Sequence, residues 1–329
     1  TVFLASSFFV FIVYLGFRDY SLSRVSARLG QDHNKAGNGI EHFGYVDGRS
    51  QPLMLWEDID AESKNGGISS WDPAFPLSTA LVQDLGANDS LSFGSYFIFR
   101  KLEQNVQSFK RREQEVADLL DFKDKDQREL AGAMIVGRFE DGTPVTLSDE
   151  ANDKTPPNNF NYDGDLGVRC PFHGHIRKTN PRGTGGFESK PDERLHLMAR
   201  RGIPFEDIER RVHPDDLPEA DTLDEFNEKV APLLPTDGLG LLFMAYNNSI
   251  GKQFKFTQQV WANNPGFPNQ LGETNLGIDP VIGQVKQKVE NDENVGDQKL
   301  RKEWDNPNLS EDQVVRCSFA GFVKMRGGE

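Results

Sequence analysis

Residues 94–120 of the chain read GSYFIFRKLEQNVQSFKRREQEVADLL, and this stretch indicates the class of fold. Its first part, residues 96–99, follows a glycine and is aromatic and β-branched, which is typical of a buried strand. Its second part carries apolar side chains at helical spacing, namely Leu102, Val106, Phe109, Val116, Leu119 and Leu120. The stretch therefore predicts a strand that runs directly into a helix over about 101–120.

The same order of a strand and then a helix returns later in the chain. Residues 239–246 predict a strand, and residues 252–261 predict a helix with Phe254 and Trp261 on one face. An uncharged, β-branched run over 2–17 predicts a core strand, and a helix over 20–29 follows it. Repeated β–α units without a glycine-rich phosphate loop favour an α+β fold with helices on one face of its sheets.

The composition is that of a folded globular protein. The 329 residues suffice for two domains or one large one, and 24 Phe supply core material. A net charge of −14 repels phosphate backbones, so we expect no nucleic-acid partner. Only two cysteines are present, Cys170 and Cys317, which excludes a disulfide scaffold.

The apolar run over 2–17 has three interpretations. It is shorter than the roughly 20 residues of a membrane helix, and it lacks the basic stretch and cleavage site of a signal peptide. We favour the core strand over a signal remnant or a membrane anchor, and we expect no membrane association. Because the sequence starts at Thr1 and stops abruptly at Glu329, we expect it to be cut at both ends. A cytoplasmic and a secreted protein are both compatible with it.

A first cluster of chemically active side chains lies at residues 170–182, CPFHGHIRKTNPR. Cys170, His173 and His175 are metal-ligand types, but zinc needs three or four ligands at tetrahedral spacing and no fourth is obvious. Taken alone, the two histidines are ordinary surface or core imidazoles.

Two further clusters are weak indications of function when each is considered by itself. Gly44-x-x-Asp47-Gly48 has the features of a hairpin turn, and Arg200-Arg201-Gly202 those of a solvated surface turn. The sequence has no P-loop, no HExxH motif, no G-x-S-x-G elbow and no CxxCH haem-attachment motif.

In combination and in this order, the three clusters resemble the dye-decolorizing peroxidase family. Connecting segments resemble it too, at residues 43–52, 94–102, 136–144, 240–246 and 277–283. The resemblance covers about residue 40 to the end and is nearest to the longer fungal and bacterial branch. Family members extend beyond both ends of this sequence, which fits the expectation that it is cut.

The resemblance implies an α+β fold of two ferredoxin-like modules with antiparallel sheets and peripheral helices. Residues 1–92 would form the first module, ending in the Asp-bearing loop. Residues 93–329 would form the second module, which holds most of the haem. The implied cofactor is haem b, held noncovalently.

The resemblance also implies roles for individual residues. His175 would be the proximal ligand of the haem iron, with His173 and Cys170 as competitors. Asp279 is the candidate partner of the second ring nitrogen of His175. Asp47 would act as the distal acid–base group toward hydrogen peroxide. An aspartate has an ordinary pKa of about 3.9, so the resemblance predicts an acidic optimum unless burial raises that pKa.

Three arginines and two apolar residues complete the implied site. Arg200 would stabilise the negative charge that develops as the O–O bond breaks. Arg177 and Arg201 would contact the haem propionates, with surface salt bridges as the alternative. Leu241 and Phe243 alternate on one strand, so they share a face and would line the distal pocket or pack in the core.

The leading function is peroxide-dependent oxidation of phenolic or dye-like aromatic reductants by a haem peroxidase. The alternatives are a haem-binding or iron-handling protein with incidental peroxidase activity and a binding protein without haem. Homo-oligomerisation stays open. Aromatic residues that could relay electrons, each also explained as a core residue, are Trp56, Trp71, Tyr246, Trp261 and Trp304.

Overall fold

The structure is a computed structural model. It describes residues 39–86, 92–152, 156–208, 212, 216–269 and 276–284, together with the backbone of three short strands at 286–287, 299–300 and 323–325. The interpretations of residues 2–17 and 20–29 lie outside the described residues. No helix in the described part of the chain is both long and apolar enough to span a bilayer.

Helices and strands are mixed along the described residues. The helices are α1 (Trp56–Lys64), α2 (Val106–Leu119), α3 (Lys125–Val136), α4 (His175–Thr179), α5 (Lys190–Arg194), α6 (Leu223–Glu225) and α7 (Phe254–Phe256). Helices α6 and α7 continue as π-helical stretches at Phe226–Val230 and Thr257–Ala262, and 3₁₀ turns lie at Leu77–Thr79 and Ala231–Leu233. The strands are β1 (Val82–Gln83), β2 (Phe93–Gly94), β3 (Tyr96–Gln104), β4 (Ala199–Glu206), β5 (Leu239–Asn247), β6 (Lys286–Gln287), β7 (Lys299–Leu300) and β8 (Val323–Met325).

The central sheet has four strands in the order β4-β5-β3-β8, and every neighbouring pair is antiparallel. Strands β3 and β4 are consequently parallel to each other, with β5 between them. This is the split β-α-β arrangement of a ferredoxin-like module, in which α2 and α3 connect β3 to β4. The predicted α+β class with antiparallel sheets and helices is confirmed.

The boundary between β3 and α2 differs from the prediction. Residues 101–104 continue the strand, where Leu102 pairs with Leu241, and α2 begins only at Val106. The side chain of Asn105 accepts a hydrogen bond from the backbone N–H of Ser108 and so caps the helix. The prediction of a helix from residue 101 was wrong because Leu102 fits a helical stripe and a strand face equally well.

The later prediction was closer. Strand β5 ends at Asn247, one residue beyond the predicted strand. The helix predicted over 252–261 is present as α7 followed by its π-helical continuation, and it buries Trp261.

One face of the central sheet carries the apolar core. Beside α2 and α3, Phe43 and Phe109 stack with ring centroids 4.1 Å apart, and Leu239 of β5 joins their cluster. At the other end of the face, Met198 and Ala245 form a cluster against which Phe254 packs. The face between these two clusters is open, and it forms one wall of a cavity.

Candidate functional site

A large cavity lies between the central sheet and the helical segments α4 and α7. It contains about 1570 Å³ of empty space, counting its open mouth. The sheet contributes Leu102, Arg200, Gly202, Leu241 and Phe243, and α4 contributes His175. More apolar than polar surface lines it, as in most cofactor and ligand sites.

A tight loop over residues 39–52 closes one side of this cavity. Ile40 and Val46 form an antiparallel bridge, and the backbone N–H of Asp47 donates to the Gly39 carbonyl at 2.9 Å. Gly44 and Gly48 flank the turn at φ 99° and 83°, a region that side chains with a Cβ rarely adopt. Glycine occurs at both positions of the Asp-bearing motif because it adopts this backbone conformation without strain.

The Asp47 carboxylate is held at the cavity wall from two sides. One oxygen, Oδ1, accepts a hydrogen bond from the Gly48 N–H at 2.7 Å. The other, Oδ2, lies against Gly202 of β4, so that a Cβ on Gly202 would overlap it and would also press on Leu241. The missing side chain of Gly202 creates the space that Asp47 occupies.

The variant Gly202→Ala tests this close approach. We expect it to displace the Asp47 carboxylate and to lower kcat/KM for the peroxide reduction that the family resemblance implies by about 10- to 100-fold, since misplacement by about 1 Å can have that effect. Gly251→Ala is the matched control, because the nearest atom to an added Cβ there is Ser249 Oγ at 4.0 Å. Steady-state kinetics on both variants measure the effect, and equal rates in the two would contradict the steric assignment.

Arg200 lies on β4 and is oriented by the Asp47 loop. Its backbone N–H donates to Gln51 Oε1 at 3.0 Å, and its Nη2 donates to the Arg49 carbonyl at 3.4 Å. Burial lowers the pKa of the Arg200 guanidinium, and the charge of Asp47 opposes that change. An arginine so placed stays charged at neutral pH.

His175 begins α4 and makes a buried carboxylate contact. Its Nδ1 lies 2.8 Å from Oδ2 of Asp279, which is fully buried. The other oxygen, Oδ1, accepts the backbone N–H groups of Val281 and Ile282 at 2.8 and 2.9 Å. Asp279 is therefore held rigidly, and it favours the tautomer with the proton on Nδ1, which leaves Nε2 of His175 for a ligand in the cavity.

The competing ligand candidates lie elsewhere. Cys170 and His173 are both buried, and neither lines the cavity. Burial raises the pKa of the Cys170 thiol to about 12, so it remains protonated and is a poor metal ligand. Within the described residues, no group of three or more His, Cys, Asp or Glu side chains is arranged to hold a metal ion.

The structure places Arg177 away from the cavity, and its propionate role stays a prediction. Its side chain is fully buried and lies outside the cavity lining. Its Nη1 donates to the Cys170 carbonyl at 2.5 Å and its Nη2 to the Asp165 carbonyl at 2.7 Å. The guanidinium also stacks over the rings of Phe172 and Tyr162. Because Arg177 follows His175 by two positions on a helix, the two side chains point to different faces.

Arg201 also lies away from the cavity. It is exposed and does not line the cavity, although Arg200 beside it does. Neighbouring residues of a strand project to opposite faces of the sheet, so the two arginines are on opposite sides of β4. The propionate contact of Arg201 stays a prediction.

The apolar residues of β5 lie where the resemblance implied. Leu241 and Phe243 both line the cavity, on the same sheet face as Gly202, which pairs with Phe243. Among the candidate relay aromatics, Trp71 and Trp261 are buried, Tyr246 is half-buried and Trp56 is 75% exposed. Trp304 lies outside the described residues.

Glu41 is a carboxylate of the cavity wall that the sequence did not single out. It accepts hydrogen bonds from the backbone N–H of Phe43 (2.8 Å) and Tyr45 (3.0 Å) and from the side-chain amide of Gln104 (2.5 Å). Burial raises the pKa of Glu41 from 4.5 to about 7; the three donors lower this pKa, and the charge of Asp47 raises it further. No motif marks it among the 51 acidic residues.

We expect the contribution of Glu41 to the free energy of unfolding to fall as pH rises from 4.5 to about 7. Across this range the folded protein keeps a proton on Glu41 that the unfolded chain releases. Glu193, whose pKa burial also raises to about 7, acts in the same direction. Over this pH range, the free energy of unfolding of Glu41→Gln should fall by about 1–3 kcal/mol less than that of the wild type. Denaturant unfolding at several pH values measures this, and an unchanged pH dependence in Glu41→Gln would contradict it.

The chain is similar to proteins of known activity. It is 50% identical over 303 residues to the multifunctional dye peroxidase DyP2 of Amycolatopsis sp., covering 90% of this chain and 59% of that protein. It is 32% identical over 287 residues to the dye-decolorizing peroxidase AauDyP1 of Auricularia auricula-judae, covering 80% of this chain and 50% of that protein. No protein-family model matches the chain.

Solved structures give the same result. The Amycolatopsis DyP2 structure matches with a TM-score of 0.68 at 52% identity, over 78% of this chain and 53% of that chain. The DyP-type peroxidase of Anabaena sp. matches with a TM-score of 0.63 at 42% identity, over 79% of this chain and 50% of that chain. The chain thus spans between half and three fifths of the length of these relatives.

Fold and cavity together define a ferredoxin-like α+β protein with a site large enough for a cofactor. The named relatives and solved structures show to which family of such proteins the chain belongs. The chain belongs to the dye-decolorizing peroxidase family.

Proposed function

We propose that the protein is a haem peroxidase that reduces hydrogen peroxide and oxidises phenolic or dye-like aromatic molecules. The observation that carries the proposal is that one apolar cavity is lined by the carboxylate-bound His175 and by Asp47 and Arg200. Family membership supports it, since the relatives are named as dye peroxidases.

The residues present fit a noncovalently held haem b. The cavity walls are mostly apolar, which suits a macrocycle, and Nε2 of His175 is available to bind the iron. Asp279 would make His175 a more basic and more strongly electron-donating ligand. When bound, the haem would supply the redox chemistry that no side chain of this site can supply.

Asp47 and Arg200 would carry out the proton transfer and the charge stabilisation. Asp47 would take a proton from one oxygen of hydrogen peroxide and return it to the other oxygen, which leaves as water. Arg200 would stabilise the negative charge that develops as the O–O bond breaks. Leu241 and Phe243 would restrict the space beside this pair, so that peroxide enters and bulky reductants do not.

The aromatic substrate class is supported by a solved relative. A dye-decolorizing peroxidase structure in complex with 2,6-dimethoxyphenol matches this chain with a TM-score of 0.51 at 27% identity. A haem carrier or iron-handling protein would need His175 but not Asp47 and Arg200. The position of that pair at the cavity therefore favours the peroxidase.

Peroxide-driven oxidation of 2,6-dimethoxyphenol and of an anthraquinone dye tests the proposal. After loading with haem, the protein should turn over both reductants much faster than the same concentration of free haem. Stable haem binding with turnover no faster than free haem would favour the haem carrier instead.

A further inference from the structure

Ser50 lies in the loop that carries Asp47 and has an unusual backbone conformation. Its φ is 62°, in the left-handed region that residues other than Gly, Asn and Asp seldom adopt. Such a conformation costs free energy and persists only where surrounding contacts enforce it. The contacts of Ser50 are therefore informative.

The Ser50 hydroxyl uses its full hydrogen-bonding capacity. It donates to Oδ1 of Asn158 at 2.7 Å and accepts from Nη2 of Arg138 at 2.8 Å and from Nη2 of Arg182 at 2.6 Å. A hydroxyl has one donor and two acceptor sites, so each site of Ser50 is occupied. We call Ser50, Asn158, Arg138 and Arg182 the Ser50 clamp.

The partners of Ser50 are themselves fixed. Arg138, Arg182 and Asn158 are each 4% exposed. Arg138 also donates to the Gly142 carbonyl at 2.7 Å, and Arg182 donates to the carbonyls of Asn158 and Phe160 at 2.8 and 2.7 Å. Both arginines also reach Oδ1 of Asn158. Ser50 is thus held by side chains that have little freedom to move.

The clamp joins the two motifs on which the family resemblance rests. Arg182 ends the motif that begins with His175, and Ser50 follows Asp47 by three positions. The residues on either side of Ser50 contact Arg200: Gln51 accepts its backbone N–H and Arg49 accepts its guanidinium. One short loop therefore carries Asp47 and orients Arg200. The Ser50 clamp binds this loop to the segment that carries His175.

We propose that Ser50 is a positioning residue for peroxide reduction, because its hydroxyl fixes the loop that sets Asp47 and Arg200 relative to His175. This inference rests on the proposed function. Ser50 itself lines the cavity beside Asp47, and the inference assigns its effect to the placement of Asp47 and Arg200.

Ser50→Gly is the decisive variant. Glycine adopts φ near 62° without strain, so the variant removes the hydroxyl and leaves the backbone favourable. We expect kcat/KM for hydrogen peroxide to fall by about 10- to 100-fold, as for other displaced catalytic groups. In Ser50→Ala, kcat/KM for hydrogen peroxide should fall at least as far. Cyanide association with the haem-loaded protein should slow similarly, because hydrogen cyanide must also lose a proton to a base in the site.

Ser95→Ala is the matched control for a merely structural role. Ser95 is a buried serine, and its hydroxyl donates to the Asn247 carbonyl at 3.3 Å, away from the cavity lining. Both serine variants should lower the thermal midpoint, but only the Ser50 variants should slow peroxide reduction and cyanide association. Asp47→Asn, measured in parallel, shows whether Asp47 itself is needed for peroxide reduction.

Each outcome decides the proposal. Slow peroxide reduction in Asp47→Asn and Ser50→Gly, with a normal rate in Ser95→Ala, supports it. A normal rate in Ser50→Gly beside a slow Asp47→Asn overturns the role of Ser50 and leaves the proposed function intact. A normal rate in Asp47→Asn overturns the proposed mechanism and the Ser50 inference with it. Equal losses in the rate of peroxide reduction in Ser50→Gly and Ser95→Ala would show that Ser50 has only a structural role.

Discussion

Replacing Asp47 by Asn should lower kcat/KM for hydrogen peroxide by about 10²- to 10⁴-fold, the usual contribution of a general acid–base group. The amide keeps the size of the carboxylate and can still accept the Gly48 N–H, which the carboxylate does at 2.7 Å. It cannot take the peroxide proton. Haem binding should be unchanged, because Asp47 is not the residue that would bind the iron.

Arg200→Leu extends this prediction to the second member of the pair. Loss of a preorganised positive charge should lower the same rate constant by about 10²- to 10³-fold. Arg201→Leu is the matched control, since Arg201 is exposed on the opposite side of the same strand. Stopped-flow mixing with peroxide separates this step from reductant oxidation. Similar losses in Arg200→Leu and Arg201→Leu, or none in Asp47→Asn, would contradict the assignment.

Replacing His175 by Ala should remove stable haem binding at stoichiometric haem, and peroxidase activity with it. Nε2 of this imidazole is the ligand that the cavity offers to the iron, while its Nδ1 is engaged with Asp279 at 2.8 Å. A haem titration followed by visible absorption measures the loss. His173→Gln is the control, because His173 lies two residues away and outside the cavity lining.

Asp279→Asn tests the partner of the same imidazole. The loss of this carboxylate contact should weaken haem affinity or activity by about 10- to 100-fold, the range seen for such partners of metal ligands. It should also raise the reduction potential of the bound haem, because a neutral amide makes His175 a weaker electron donor. A His175→Ala protein that binds haem like the wild type would show that another residue holds the iron.

Much of the fold was accessible from the sequence, and the exceptions have local causes. Strand β5 and the strand at residues 96–99 are strongly apolar, so their existence was predictable. The start of α2 was not, because Leu102 satisfies both periodicities and only the cap at Asn105 marks the change. The β4-β5-β3-β8 order depends on long-range pairing that no local pattern encodes.

The sequence named five residues that the structure brings to one cavity. They are Asp47, His175, Arg200, Leu241 and Phe243. Arg177 and Arg201, which the resemblance also assigned to the haem, lie away from that cavity. Helical and strand periodicity, applied strictly, would have turned both side chains away from the cavity.

Other contributors left no signal of their own. Ser50 acts through a hydroxyl that three side chains contact, and Gly202 acts through its missing side chain. Both properties depend on which segments meet in three dimensions. Only the folded chain brings Arg182 to Ser50 and Gly202 to Asp47.

The visible absorption spectrum of the wild-type protein during a haem titration is the most direct test of haem binding through His175. We expect a Soret band typical of a histidine-bound ferric haem, which saturates at one haem per chain and is absent from His175→Ala at the same haem concentrations. A wild-type spectrum that stays identical to that of free haem, or saturation at one haem per chain in His175→Ala, would contradict it.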